Sequence, residues 1–233
     1  MTGLSLAALF AGGVCLQPLG NHLQALAATP AGWHAGRLDA LAGSGGLLAA
    51  LGGMRPALAG CFWLQADLAW EKQDPAATAA LLQLTVAADD RPLYFWLNGA
   101  RMLAYDLPAW EPLAVRRQRT DAHSRLALAF LEQGLRWHGP DAALWVEMAN
   151  IHLRRTGDIE SAARCYRLAA EAPHAPYYAA RIHAELLRAL GRNREACDWL
   201  QRQLPKLPAD DPAACRDVVL ARIRSLEREL AAQ

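Results

Sequence analysis

A chain of 233 residues is long enough for a sizeable core in one or two domains. It is 53% apolar, rich in Ala and Leu and poor in β-branched residues, which favours helices over sheet. A formal net charge of +1 excludes bulk attraction to nucleic acid or to an acidic membrane. Five cysteines (Cys15, Cys61, Cys165, Cys197 and Cys215) form no CxxC pair, which argues against a disulfide framework or a zinc site. Of the 24 basic residues only Lys72 and Lys206 are lysines, an arginine bias read as genome composition rather than function.

The first sixty residues differ from the rest, with only Arg37, Asp39 and Arg55 formally charged. Leu4 to Leu19 is mostly apolar, short for a spanning helix and without a basic residue before it. Ala25-Leu26-Ala27, followed by Ala28, has the small residues of a signal-peptidase site. Three readings stay open: an uncleaved signal anchor, a cleaved signal peptide, or an N-terminal helix that caps the helices after it. The expected segments are 1–27 as signal anchor or signal peptide and 28–58 as a Gly/Ala-rich linker or N-terminal helix. Gly43-Ser44-Gly45-Gly46 has no β-rich run before it and no Gly-Lys-Ser/Thr after it, so it reads as a linker rather than a phosphate loop. Leu58-Ala59-Gly60-Cys61 spells a lipoprotein box, but it lies far from the start of the chain and Arg55 interrupts the run before it.

Next come two matching stretches, Phe62-Trp63-Leu64-Gln65-Ala66 and Phe95-Trp96-Leu97-Asn98-Gly99-Ala100. After the first, Asp74-Pro75 starts a helix that runs through Val86, and Asp89-Asp90-Arg91-Pro92 makes a turn. After the second, residues 106–119 contain Pro108 and Pro112 and read as an inserted loop. A helix is expected from Thr120 or Asp121 through Trp137, with Ala127, Leu131 and Gly134 on its packed side. From Asp141 onward Gly157-Asp158-Ile159-Glu160-Ser161-Ala162 aligns with Gly191-Arg192-Asn193-Arg194-Glu195-Ala196, and Tyr166 aligns with Leu200.

That last spacing is a period of 34 residues in a helical sequence, and it resembles the tetratricopeptide repeat (TPR) family. The resemblance covers about Ala59 to Pro208 and is most specific in its last two repeats. Trp145, Met148, Ala149, Ala162, Tyr166, Ala169 and Pro173 match the third, and Ala184, Leu187, Gly191, Ala196, Leu200 and Pro208 the fourth. One extra residue lies between Trp145 and Gly157, and Gln203 stands at a place that is usually small. The resemblance implies an all-α, right-handed superhelical solenoid of antiparallel helix pairs over 59–208. Residues 209–233 then close it as a C-terminal capping helix, with Val218, Val219, Ile223, Leu226 and Leu230 at helical spacing.

Chemistry is sparse. The histidines show no His-x-x-x-His spacing, and no nucleophile elbow, Walker loop or kinase signature occurs. No catalytic residue, metal or cofactor is therefore expected. Cys165 and Cys197 read as buried packing residues, and Trp63, Trp96 and Trp145 as packing within the array. Trp110, in the insertion, is an interface candidate. Arg116-Arg117-Gln118-Arg119 reads as a solvated loop.

The resemblance places partner-binding residues on the helix faces that line a concave groove: Asn98, Arg101, Tyr105, Asn150, Arg154, Arg181, Glu185 and Arg188. Arginine forks and asparagine amides suit a peptide backbone or carboxylates. The set loosely resembles the carboxylate-clamping TPRs without their full Lys/Asn pattern. The expected function is a non-catalytic adaptor or scaffold that holds a protein or peptide partner and binds no nucleic acid. It is associated through residues 4–19 with a bacterial-type inner membrane, its repeats in the periplasm, or else is cytoplasmic. Two alternatives stay open: a subunit of a larger membrane complex, and an all-α enzyme or ligand-binding protein with a pocket near Gly43–Trp70.

Overall fold

The computed structural model describes residues 54–232. The apolar run of residues 4–19, the Ala25–Ala28 site and the glycine linker at 43–46 lie outside them. Among the described residues every regular element is helical. They fall into two compact units that divide between Asp90 and Arg91, within the expected turn.

The N-terminal unit is a helical hairpin of α1 (Arg55–Glu71) and α2 (Pro75–Ala88). Asp74 caps α2 by accepting from the Ala77 amide at 3.0 Å, with Pro75 in the first turn. The buried face of α1 consists of Ala59, Ala66 and Ala69. Such small side chains let two helices approach closely. Leu82, Thr85 and Val86 are buried on α2. Arg55 at the start of α1 donates to the Ala88 carbonyl at 3.0 Å and pairs with Asp90 at 3.6 Å, so the helices run antiparallel. The other face of α1 leaves Cys61, Leu64 and Leu68 exposed at helical spacing.

The C-terminal unit begins with α3 (Leu93–Arg101), which widens into a π turn over Met102–Asp106 and closes with a helical turn at Leu107–Trp110. The Leu107 amide closes the π turn on the Met102 carbonyl, and Pro108, which has no N–H to give, comes directly after it. Then come α4 (Leu113–His138), α5 (Ala142–Ile151) with a second π turn at His152–Thr156, and α6 (Ile159–Glu171). The unit ends with α7 (Tyr177–Ala189), α8 (Asn193–Gln203) and α9 (Arg216–Ala231). Helices adjacent in the chain pack on one another through this unit, and α3 also touches α5.

The structure revises the element bounds at 106–119 and accounts for the extra residue before Gly157. First, residues 106–119 are not an inserted loop. Asp106 completes the π turn, Leu107–Trp110 is helical, and α4 starts at Leu113 rather than at Thr120 or Asp121, which lie inside it. The two prolines sit where helices tolerate them, Pro108 just after the π turn and Pro112 just before α4. Arg116 steadies the start of α4 by donating to the carbonyls of Ala109 (3.2 Å) and Glu111 (3.1 Å). Second, the extra residue between Trp145 and Gly157 is absorbed by the π turn at His152–Thr156. A π turn holds one more residue than the α-helical turn it replaces, so α5 keeps its packed face through Ile151 and the helix still ends at Gly157.

Gly157 (φ 70°) and Gly191 (φ 75°) both end a helix in the left-handed region, which favours glycine. Asp158 then caps α6 through the Ser161 amide at 2.9 Å. Arg192, at the aligned place, instead reaches Glu195 (2.7 Å) and, 32 residues away on α6, Glu160 (3.0 Å). Much of the core occupies expected packing places: the Trp96 and Phe130 rings lie 4.9 Å apart, and Gly134 abuts the Trp96 ring. Ala162, Tyr166 and Ala169 are buried on α6. Ala184, Leu187, Ala196, Trp199 and Leu200 form one cluster with Val219, Ile223 and Leu226 of α9. Trp96 is wholly buried, whereas Trp63 and Trp145 are half-buried. Val218, expected on the packed stripe of α9, is 51% exposed.

Candidate functional site

The two π turns bring the sequence-predicted residues of α3 and α5 together. Arg101, at the end of α3, donates from Nε to Glu147 of α5 at 2.9 Å. The Glu147 side chain is 5% exposed and that of Arg101 53%. A buried carboxylate is thus held by a guanidinium whose far side faces water. One turn on, the Arg155 guanidinium stacks 5.4 Å over the Tyr105 ring. Tyr105 is the fourth residue of the first π turn and Arg155 the fourth of the second. Asn150 accepts a hydrogen bond from the Tyr166 hydroxyl at 2.8 Å. Arg154 is exposed, and its charge reaches both Tyr105 and Tyr166. Burial raises the pKa of both tyrosines, and nearby Glu147 raises it further, so both hydroxyls stay protonated donors.

Tyr166 also lies within electrostatic reach of Tyr178, which opens a second cluster. There Tyr178, Arg181, Ile182 and Glu185 of α7 face Val218, Val219 and Arg222 of α9 across an open groove of about 550 Å³, with Leu200 at its floor. Glu185 accepts from Arg188 at 2.8 Å and from Arg222 at 2.7 Å, and Arg188 also approaches Glu229 at 3.9 Å. These two arginines and two glutamates offset one another. Arg181 makes no ion pair or hydrogen bond among the described residues, so its charge is unbalanced beside the exposed faces of Tyr178 and Val218.

Of the predicted set, Arg101, Tyr105, Asn150 and Arg154 thus share one cluster, and Arg181, Glu185 and Arg188 share the next. Asn98 joins neither: its amide donates to the Tyr94 carbonyl of its own helix at 2.9 Å. Trp110 sits half-buried on the closing turn of α3 rather than on a loop. The sequence reading missed Glu147, Arg155, Tyr178 and Arg222. Arg155, not Arg154, meets Tyr105 because the second π turn shifts the register by one residue. The extra residue before Gly157 was the available signal. Tyr178 and Arg222 carry no motif.

Nothing in either cluster resembles a nucleophile with its base. Burial pushes the Cys165 thiol up to about 11, so it stays a protonated packing group. His183 is buried, its Nδ1 2.8 Å from the Ala163 carbonyl and its ring edge-on to Trp199 at 4.7 Å. Among the described residues no group of three His, Cys, Asp or Glu could hold a metal, and no helix is long and apolar enough to cross a membrane.

No protein-family profile and no curated protein matches this chain. Function is therefore read from the geometry of these two clusters.

Proposed function

We propose that the chain is a TPR-like helical-repeat adaptor that grips a peptide segment of a partner protein along the face running from Arg101 to Arg222. The observation that carries this reading is Arg181, an unpaired guanidinium in an open groove walled by Tyr178, Ile182 and Val218. That combination suits a carboxylate next to an apolar side chain. The exposed Arg154 and the protonated hydroxyls of Tyr105 and Tyr166 extend the polar face toward α3. The chain works without catalysis, and residues 4–19 hold it at an inner membrane with the repeats in the periplasm. A second reading, a subunit of a larger membrane complex, is favoured by the exposed Cys61, Leu64 and Leu68 on α1.

The test is co-purification of the tagged full-length chain from its host in mild detergent, with partners identified by mass spectrometry. Arg181→Glu should lose the stoichiometric partner while its circular dichroism and thermal midpoint stay those of the parent. An unchanged partner set in Arg181→Glu would count against the groove. The N-terminal peptide, read in the same run, separates a retained anchor from a cleaved one.

A further inference from the structure

The first two turns of α4, which read as a solvated loop in the sequence, form an exposed helical end that is tied back to Ala109 and Glu111 through Arg116. Every residue from Pro112 to Arg119 is exposed, with Leu113 at 81% and Val115 at 41%. The buried residues of this helix begin only at Ser124. At a rise of about 1.5 Å per residue the free end is roughly 10 Å long.

This tip has two zones. Pro112, Leu113, Ala114 and Val115 make an apolar end. Behind it Arg116, Arg117 and Arg119 form a basic collar spread around the helix, since successive residues are about 100° apart. Arg116 lies over two backbone carbonyls, which leaves its charge uncompensated. Arg119 approaches Glu111 only to 3.9 Å. Arg117 makes no ion pair or hydrogen bond among the described residues, and the first turn of α4 holds no acidic side chain. Glu111 offsets part of the Arg119 charge, while Arg116 and Arg117 have no acidic partner among the described residues, and the apolar end stays unburied in water.

One partner satisfies both zones together. In an anionic bilayer, apolar side chains enter the boundary between headgroups and acyl chains, to a depth of about 5–10 Å. A collar about one helical turn behind the apolar end, roughly 5 Å, then lies at the level of the lipid phosphates. A nucleic acid would pair with the arginines but leave Leu113 and Val115 in water. We propose that the Pro112–Arg119 tip of α4 docks on an anionic lipid surface, with Leu113 and Val115 inserted and Arg116, Arg117 and Arg119 on the phosphates. This contact is separate from the groove and from residues 4–19. A chain of net charge +1 makes it through local charge, not bulk charge.

Limited trypsin digestion of the full chain reads the contact where it forms, whatever else the chain binds. Cleavage after Arg116, Arg117 and Arg119 is monitored by mass spectrometry with vesicles of phosphatidylcholine, alone or mixed with phosphatidylglycerol. Cleavage after Arg228, in α9, is the internal control. Mixed vesicles should slow the collar sites by about tenfold or more at low salt. The effect should vanish at high salt and with phosphatidylcholine alone. The Leu113→Ser/Val115→Ser variant keeps every cleavage site and should lose most of that protection. Equal cleavage with both vesicle types overturns the proposal, as does full protection in the serine variant. Protection by a single-stranded oligonucleotide but not by vesicles assigns the collar to nucleic acid and overturns it. Protection with no addition means that the chain covers its own tip, which overturns it too.

Discussion

Replacing Arg101 by methionine should destabilise the C-terminal unit by about 1–3 kcal/mol. Glu147 is 5% exposed, and Arg101 is its hydrogen-bond partner at 2.9 Å. Breaking a fully buried ion pair by removing one member costs about 3–5 kcal/mol, because the remaining charge is left desolvated and unpaired. Here the Arg101 side chain is 53% exposed, so water already screens the pair and can partly replace the guanidinium; the figure is lowered accordingly. Methionine keeps much of the aliphatic packing of arginine, which isolates the charge effect. With a urea slope of about 2 kcal/mol per molar, the midpoint should fall by roughly 0.5–1.5 M, read by far-ultraviolet circular dichroism. The double variant Arg101→Met/Glu147→Met removes both charges and should return to within about 1 kcal/mol of the parent. A single variant with an unchanged midpoint, or a double variant less stable than the single, would refute the claim that this guanidinium holds the buried carboxylate.

Two further outcomes test the packing. Burial lowers the pKa of His183, and also of His152 and His123, below the ordinary value of 6.5. The unfolded chain therefore takes up protons before the folded one, so these histidines cost nothing above about pH 6.5 and stability falls as pH drops through it. Urea midpoints at about pH 7.5 and about pH 5.5 should differ in that direction, and His183→Phe should shrink the gap; a flat profile would contradict the burial. In Gly134→Ala, the added Cβ meets the wholly buried Trp96 ring at 3.1 Å. That ring is packed against Phe130, which opposes its retreat, so overpacking of about 1–3 kcal/mol should exceed the gain of about 1 kcal/mol in helix propensity. A raised thermal midpoint would show that the α3–α4 contact has slack.

The order and type of most described helices were legible because their signals are local. Asp74-Pro75, Asp141 and Asp158 start helices through caps and fixed proline geometry, and Gly157 and Gly191 end them in a backbone region that favours glycine. Small and large residues at a 34-residue period marked the buried places, and Ala162, Tyr166, Ala184 and Leu200 are buried. The 106–119 segment was misread because its prolines were counted as breakers regardless of place. Each falls at a helix boundary or beside a π turn, where the missing N–H costs little.

The sequence by itself determined the helical class, most helix ends and many of the buried positions, since propensity, caps and apolar spacing act within a few residues of each position. Only the tertiary structure decided which polar groups meet. The pairing of Arg101 with Glu147 across 46 residues depends on how helices pack. So does the stacking of Arg155 rather than Arg154 on Tyr105, which turns on one extra residue in a π turn. Arg181 is left unbalanced for the same kind of reason. Arg188 and Arg222 converge on Glu185 from two helices, and no local pattern says which arginine such a contact will leave without a partner.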